Sequence, residues 1–282
     1  MGGSHLACAV LLMLSGPGPF AEGVAALERE EYDRAAACFD AYILEHPRDP
    51  AGYYHRGVAH RKKNDPQKAV WDYTRAVGLA PAMAAAYHDR GLAYAALGDH
   101  ARAVSDYTEA IRLQPNAATA FNNRGLAYAG LKDVDRAAAD FTTAIRLDPH
   151  LAVAYNNRAI AYQDKQEYAR AIADYAVATQ IDPRYALAWN NFARLLATCP
   201  HAGLRDGRKA VECAAQACRL SDWKTAAYLS TLATALAECG DFTNALTCVR
   251  EARRLGFADR KEADEALRQQ QRCLDRKPYP AK

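Results

Sequence analysis

Two pairings of polar residues recur along this chain of 282 residues and could do chemistry. Arg56, Arg90, Arg124 and Arg158 are each followed sixteen residues later by an aspartate, namely Asp72, Asp106, Asp140 and Asp174. A guanidinium facing a carboxylate forms a two-pronged ion pair, and a partly buried arginine needs such a partner. That favours a bridge between neighbouring segments; the alternative is a charged ladder that binds a ligand. Asparagines come in adjacent pairs: Asn122 and Asn123, Asn156 and Asn157, Asn190 and Asn191. A side-chain amide donates and accepts at once, so it can pair with a peptide bond whatever side chains the ligand carries. A structural or solvated asparagine is the competing reading of these positions.

Reactive groups are otherwise poorly placed for catalysis. No Gly-rich phosphate loop or nucleophile elbow occurs, and none of the eight histidines forms a His-x-x-x-His pair. The eight cysteines contain no Cys-x-x-Cys pair and read as small helix-packing residues rather than a disulfide or zinc framework. No catalytic residue, metal site or cofactor is therefore expected. Lys and Arg number 36 against 33 Asp and Glu, a net charge of +3. So even a balance argues against a nucleic-acid partner. No run of 18 apolar residues is present, which argues against an integral membrane span.

The elements that must position these groups follow a period of 34 residues. Tyr53, Tyr87, Phe121, Tyr155 and Trp189 recur at that offset, as do Gly57, Gly91, Gly125 and Ala159. Ala69, Ala103, Ala137 and Ala171 form a further series, with Tyr73, Tyr107, Phe141 and Tyr175 behind it. Pro81, Pro115, Pro149 and Pro183 close the repeats. Within a repeat Tyr87, Gly91 and Tyr94 fall at i, i+4 and i+7, one face of a helix, and Ala103, Tyr107 and Ala110 do the same on a second. The reading is two helices per repeat, separated by turns such as Asn64-Asp65 and Gly98-Asp99.

The set Tyr87, Gly91, Tyr94, Ala103, Tyr107, Ala110 and Pro115 resembles the tetratricopeptide repeat (TPR) family. Four repeats between Pro50 and Pro183 match closely, and degenerate ones extend the resemblance over residues 16–258, about seven repeats. Residues 195–200 and 205–207, with 277–279, are similar to the C-terminal part of a group of bacterial members. The resemblance implies an all-α fold, a right-handed superhelical solenoid of antiparallel helix pairs, with residues 259–282 as a capping helix and tail. Residues 1–15 hold an apolar stretch read either as a signal peptide or as packing on the first repeat. Compartment therefore stays open between cytoplasm and export.

In such a solenoid the first helix of each pair lines a concave groove. That places the six asparagines there, with Leu92, Leu126, Ala129 and Ile160 as a shallow apolar floor. The family's clamp for a ligand's C-terminal carboxylate is not expected, since its positions hold Tyr54 and Val58, or His88 and Leu92. Arg61-Lys62-Lys63 reads as a solvated basic cluster. The implied function is a non-enzymatic scaffold that binds a partner peptide or helix. The alternatives are an exported envelope assembly factor, or a regulatory subunit acting in trans on a catalytic chain.

Overall fold

The computed structural model describes residues 18–257 and, beyond them, residues 264, 266–268, 271, 272 and 275. The expected apolar segment at 1–15 and most of the expected cap at 259–282 lie outside the described residues. Ala266, which is described, is buried. Among the described residues the chain forms helices and no strand. It divides into two compact units, Met1–Asp133 and Val134–Lys282.

The N-terminal unit contains α1 (Pro19–Glu28), α2 (Tyr32–Glu45), α3 (Pro50–Lys62), α4 (Pro66–Leu79), α5 (Ala84–Ala96), α6 (His100–Leu113) and α7 (Ala118–Gly130). Short turns fold α1 on α2, α3 on α4 and α5 on α6, and each helix also packs on the next in sequence. The turns are local chemistry. Asn64 and Gly98 take the left-handed backbone that reverses the chain, with φ of 65° and 76°. The aspartate that follows caps the second helix: the amides of Lys68 and Arg102 donate to Asp65 and Asp99. Pro50 and Pro66 sit in the first turn of their helices, where a missing N–H costs nothing.

The small position of the first helix exists to admit the aromatic of the second. A Cβ on Gly91 would lie 2.8 Å from Tyr107 Cε1, and one on Gly57 would lie 2.8 Å from Tyr73 Cε1. Tyr73 and Tyr107 are consequently buried between helices, each contributing roughly 1.5–3 kcal/mol of apolar burial. The degenerate first repeat keeps the device, with Gly23 against Phe39.

The C-terminal unit contains α8 (Val134–Leu147), α9 (Ala152–Asp164), α10 (Tyr168–Ile181), α11 (Ala186–Thr198), α12 (Gly207–Leu220), α13 (Ala226–Glu238) and α14 (Phe242–Leu255). Here α9 pairs with α10, α11 with α12 and α13 with α14. The connection between α11 and α12 contains a single 3-10 turn, Ala202–Leu204, and the Asp206 amide donates to the Leu196 carbonyl at 3.1 Å. The core of this unit gathers Tyr175, Phe192, Leu195, Leu196 and Leu229 around Cys199, Cys213 and Cys218. Burial pushes the Cys213 thiol up to about 11 and the Cys218 thiol up to about 12. Six described cysteines are free thiols.

Candidate ligand-binding face

The arginine series is used to join helices. Arg90 donates from Nε and Nη2 to the two carboxylate oxygens of Asp106, both at 2.8 Å. Its remaining nitrogen donates to Thr74 Oγ1 of the preceding repeat at 3.1 Å. Arg158 repeats the arrangement with Asp174 at 2.7 and 2.8 Å and Thr142 at 3.2 Å. Arg56 forks onto Asp72 and reaches back to Asp40. Arg124 reaches back to Thr108 at 3.1 Å. Tyrosines enclose the guanidinium: Arg90 lies 5.5 Å from the Tyr87 ring centre and 6.0 Å from that of Tyr94. The Asp106 hydrogen bonds raise the Arg90 pKa further, against the effect of burial. With its donors engaged on both sides, the series bridges helices within a repeat and between repeats. The threonine partners went unread in the sequence, although Thr74, Thr108 and Thr142 stand 34 residues apart.

The six asparagines are less open than expected. Asn122, Asn156, Asn190 and Asn191 are buried, while Asn123 and Asn157 are half-buried. In the C-terminal unit Asn191 Nδ2 donates to Asn156 Oδ1 at 3.1 Å, and Asn156 donates to Asn157. In the N-terminal unit Asn122 donates to Asn123, and Asn123 Nδ2 donates to His88 Nε2 at 3.0 Å. The amides thus tie neighbouring first helices to one another across a spacing of 35 residues. Of the floor residues, Leu126 and Ile160 are exposed, at 46% and 39%, whereas Leu92 and Ala129 are half-buried.

The same two register positions carry different chemistry nearer the N-terminus, where Tyr54, His55, His88 and Asp89 replace asparagines. Tyr54 Oη donates to Asp89 Oδ2 at 3.0 Å, again 35 residues away. His88 Nδ1 lies 3.4 Å from Asp89 Oδ1, and its Nε2 accepts from Asn123, so both contacts favour the Nδ1–H tautomer. Arg61 is not a solvated member of a basic cluster. It is half-buried, with Nη2 3.9 Å from Asp89 Oδ1. Lys63 does face solvent and pairs with Asp33. Burial works against the charged form of Asp89, yet His88, Arg61 and Tyr54 hold its carboxyl below the ordinary range. Burial, and then the Asp89 charge, push the Tyr54, Tyr73 and Tyr107 phenols upward. The Arg61 guanidinium lies against the Tyr73 hydroxyl, which lowers the phenol's pKa in opposition to burial.

A cavity of about 230 Å³ opens beside this cluster. Tyr54, His88 and Asp89 form its floor, alanines its walls, and exposed Gln114, Thr119 and Ala85 its mouth. In the sequence Tyr54 and His88 stand out only as departures from a carboxylate clamp. The available signal was the break in the asparagine register at Tyr54, His88 and Asp89. Among the described residues no group of three or more His, Cys, Asp or Glu side chains is arranged to hold a metal ion. No helix among them is long and apolar enough to cross a membrane.

Comparison with known proteins agrees with this architecture. A TPR protein from Parabacteroides merdae has a similar fold at 17% identity and a TM-score of 0.63, covering 89% of this chain and 97% of its own. YrrB, described as a TPR protein with an unusual peptide-binding site, is 22% identical with a TM-score of 0.53, covering 67% and 94%. A thermophilic TPR protein of Thermus thermophilus is 26% identical with a TM-score of 0.50, covering 62% and 95%. No curated protein matches the sequence. The profile of the tetratricopeptide repeat family matches residues 20–84, 88–152 and 131–186, more than half of the chain. With its paired helices, its glycine–tyrosine packing and its 34-residue period, the chain belongs to the tetratricopeptide repeat family.

Proposed function

We propose that the protein is a non-catalytic scaffold whose first helices hold an extended segment or a helix of a protein partner. TPR proteins generally mediate protein–protein interactions, and YrrB carries a peptide-binding site by its description. The observation that carries the reading is on α7 and α9. Each leaves a large aliphatic side chain in solvent, Leu126 or Ile160, one turn along from a half-buried amide, Asn123 or Asn157. An exposed aliphatic contact beside a polar flank suits a partner segment that inserts apolar side chains.

The test is calorimetric affinity for a partner isolated by cross-linking. Leu126→Asp, Ile160→Asp and Ala129→Arg are each expected to weaken binding, and together to lower affinity by roughly 10- to 1,000-fold. Helicity is expected to stay constant, because Leu126 and Ile160 are exposed. Equal affinities for all variants would move the site away from these helices.

A further inference from the structure

We infer that the cavity over Asp89 is a specificity pocket for a basic side chain, arginine or lysine, of the bound partner. This rests on the scaffold reading above and deepens it for the N-terminal unit. Size comes first. At about 230 Å³ the cavity is below the roughly 300–1,000 Å³ usual for small-molecule and cofactor sites, and suits one long side chain.

Hydrogen-bond accounting sets the sign of the ligand. The donors on the floor already face Asp89. Tyr54 Oη donates to it at 3.0 Å, and His88 Nδ1 lies 3.4 Å from it while Nε2 accepts from Asn123. Acceptors remain. An ionised carboxylate offers about four lone-pair sites, and Asp89 uses one fully for Tyr54. Its contacts with His88 and Arg61, at 3.4 and 3.9 Å, are long. The Tyr54 oxygen, having donated, can still accept, and Gln114 and Thr119 at the mouth have oxygens to offer. Arg61 does not line the cavity; its guanidinium contacts Asp89 and Tyr73. A group rich in donors and positively charged completes this floor, whereas an anion would meet Asp89 head on.

The experiment uses the full chain and four blocked alanine pentapeptides carrying arginine, lysine, norleucine or glutamate at the centre. NMR titration follows Thr119, Gln114 and the His88 ring. The arginine and lysine peptides are expected to shift these signals saturably, and the other two to leave them in place. Asp89→Asn is expected to weaken arginine-peptide binding about tenfold or more, the effect of a lost charged hydrogen bond. Asp89 also joins helices, so a second variant separates binding from folding. Ala85→Lys, at an exposed mouth position, puts a tethered cation in the pocket. It is expected to abolish the shifts while keeping the thermal midpoint. Equal shifts from norleucine or glutamate, no shift from any peptide, or an undiminished response in Asp89→Asn would each overturn the pocket. None of these outcomes alters the affinity test with the cross-linked partner, which judges the scaffold reading separately.

Discussion

Arg90 touches a carboxylate, a hydroxyl and two aromatic rings at once, so its neighbours depend on it unequally. Asp106 is buried, and removing it strands a guanidinium of which only 15% is exposed. Asp106→Ala is expected to cost on the order of 2–4 kcal/mol in urea denaturation, and the Arg90→Leu, Asp106→Leu pair to recover much of it. A single variant that unfolds like wild type would mean that the pair contributes little. Asp89 gives a pH signature. Its folded value is lowered, so its contribution is present above the unfolded value of about 3.9 and lost as pH falls through the folded one. The gap in urea midpoint between wild type and Asp89→Asn is expected to shrink from pH 7 to pH 3. A constant gap would unlink Asp89 from stability. The Arg–Asp pairs were legible because they recur in phase. The asparagines were legible as a series and opaque in role, since one sequence position cannot reveal that Asn191 spends its amide on Asn156.

Helix pairing turns on one contact, the small residue under the ring, and identical substitutions elsewhere have the opposite sign. Gly78 lies late in α4, with open space where a Cβ would go. Gly78→Ala is expected to stabilise by about 0.5–1 kcal/mol through helix propensity. Gly91→Ala gains the same propensity but drives a methyl into Tyr107, and is expected to destabilise by about 1–2 kcal/mol net. Thermal midpoints moving apart in this way would establish that the glycine serves packing; shifts of equal sign would refute it. Ala159 stands at the matching position of a later repeat, in the same core cluster as Tyr175. Element boundaries were readable from the turn aspartates and the prolines. The left-handed turns were only half readable: Asn64 and Gly98 announce themselves, whereas Gln166 at φ 61° and Glu30 at φ 60° do not. There, the packed helices on either side impose the turn on residues that do not favour it.

Across the molecule the thiols report how far the core excludes solvent. Native protein at pH 8 is expected to react slowly at Cys199, Cys213 and Cys218, and all eight cysteines to react promptly in denaturant without reductant. Fewer than eight thiols in denatured protein would reveal a disulfide. The 34-residue period made the fold legible, because each repeat must bury its face against the next. It could not disclose a cavity produced where the period breaks, since Tyr54, His88 and Asp89 are departures from the pattern. The backward reach of each arginine has one more consequence. Arg90 grips Asp106 sixteen residues ahead and Thr74 sixteen behind, and Arg158 does the same with Asp174 and Thr142, so a block that keeps this trio carries a plug for the block before it and a socket for the block after. Where the plug gives way to Phe192, the socket sixteen residues earlier is already Ala176. A chain assembled from such blocks can lengthen by tandem duplication without inventing a new joint, because the copied segment arrives with both halves of its own fastening. Array length is thereby free to vary.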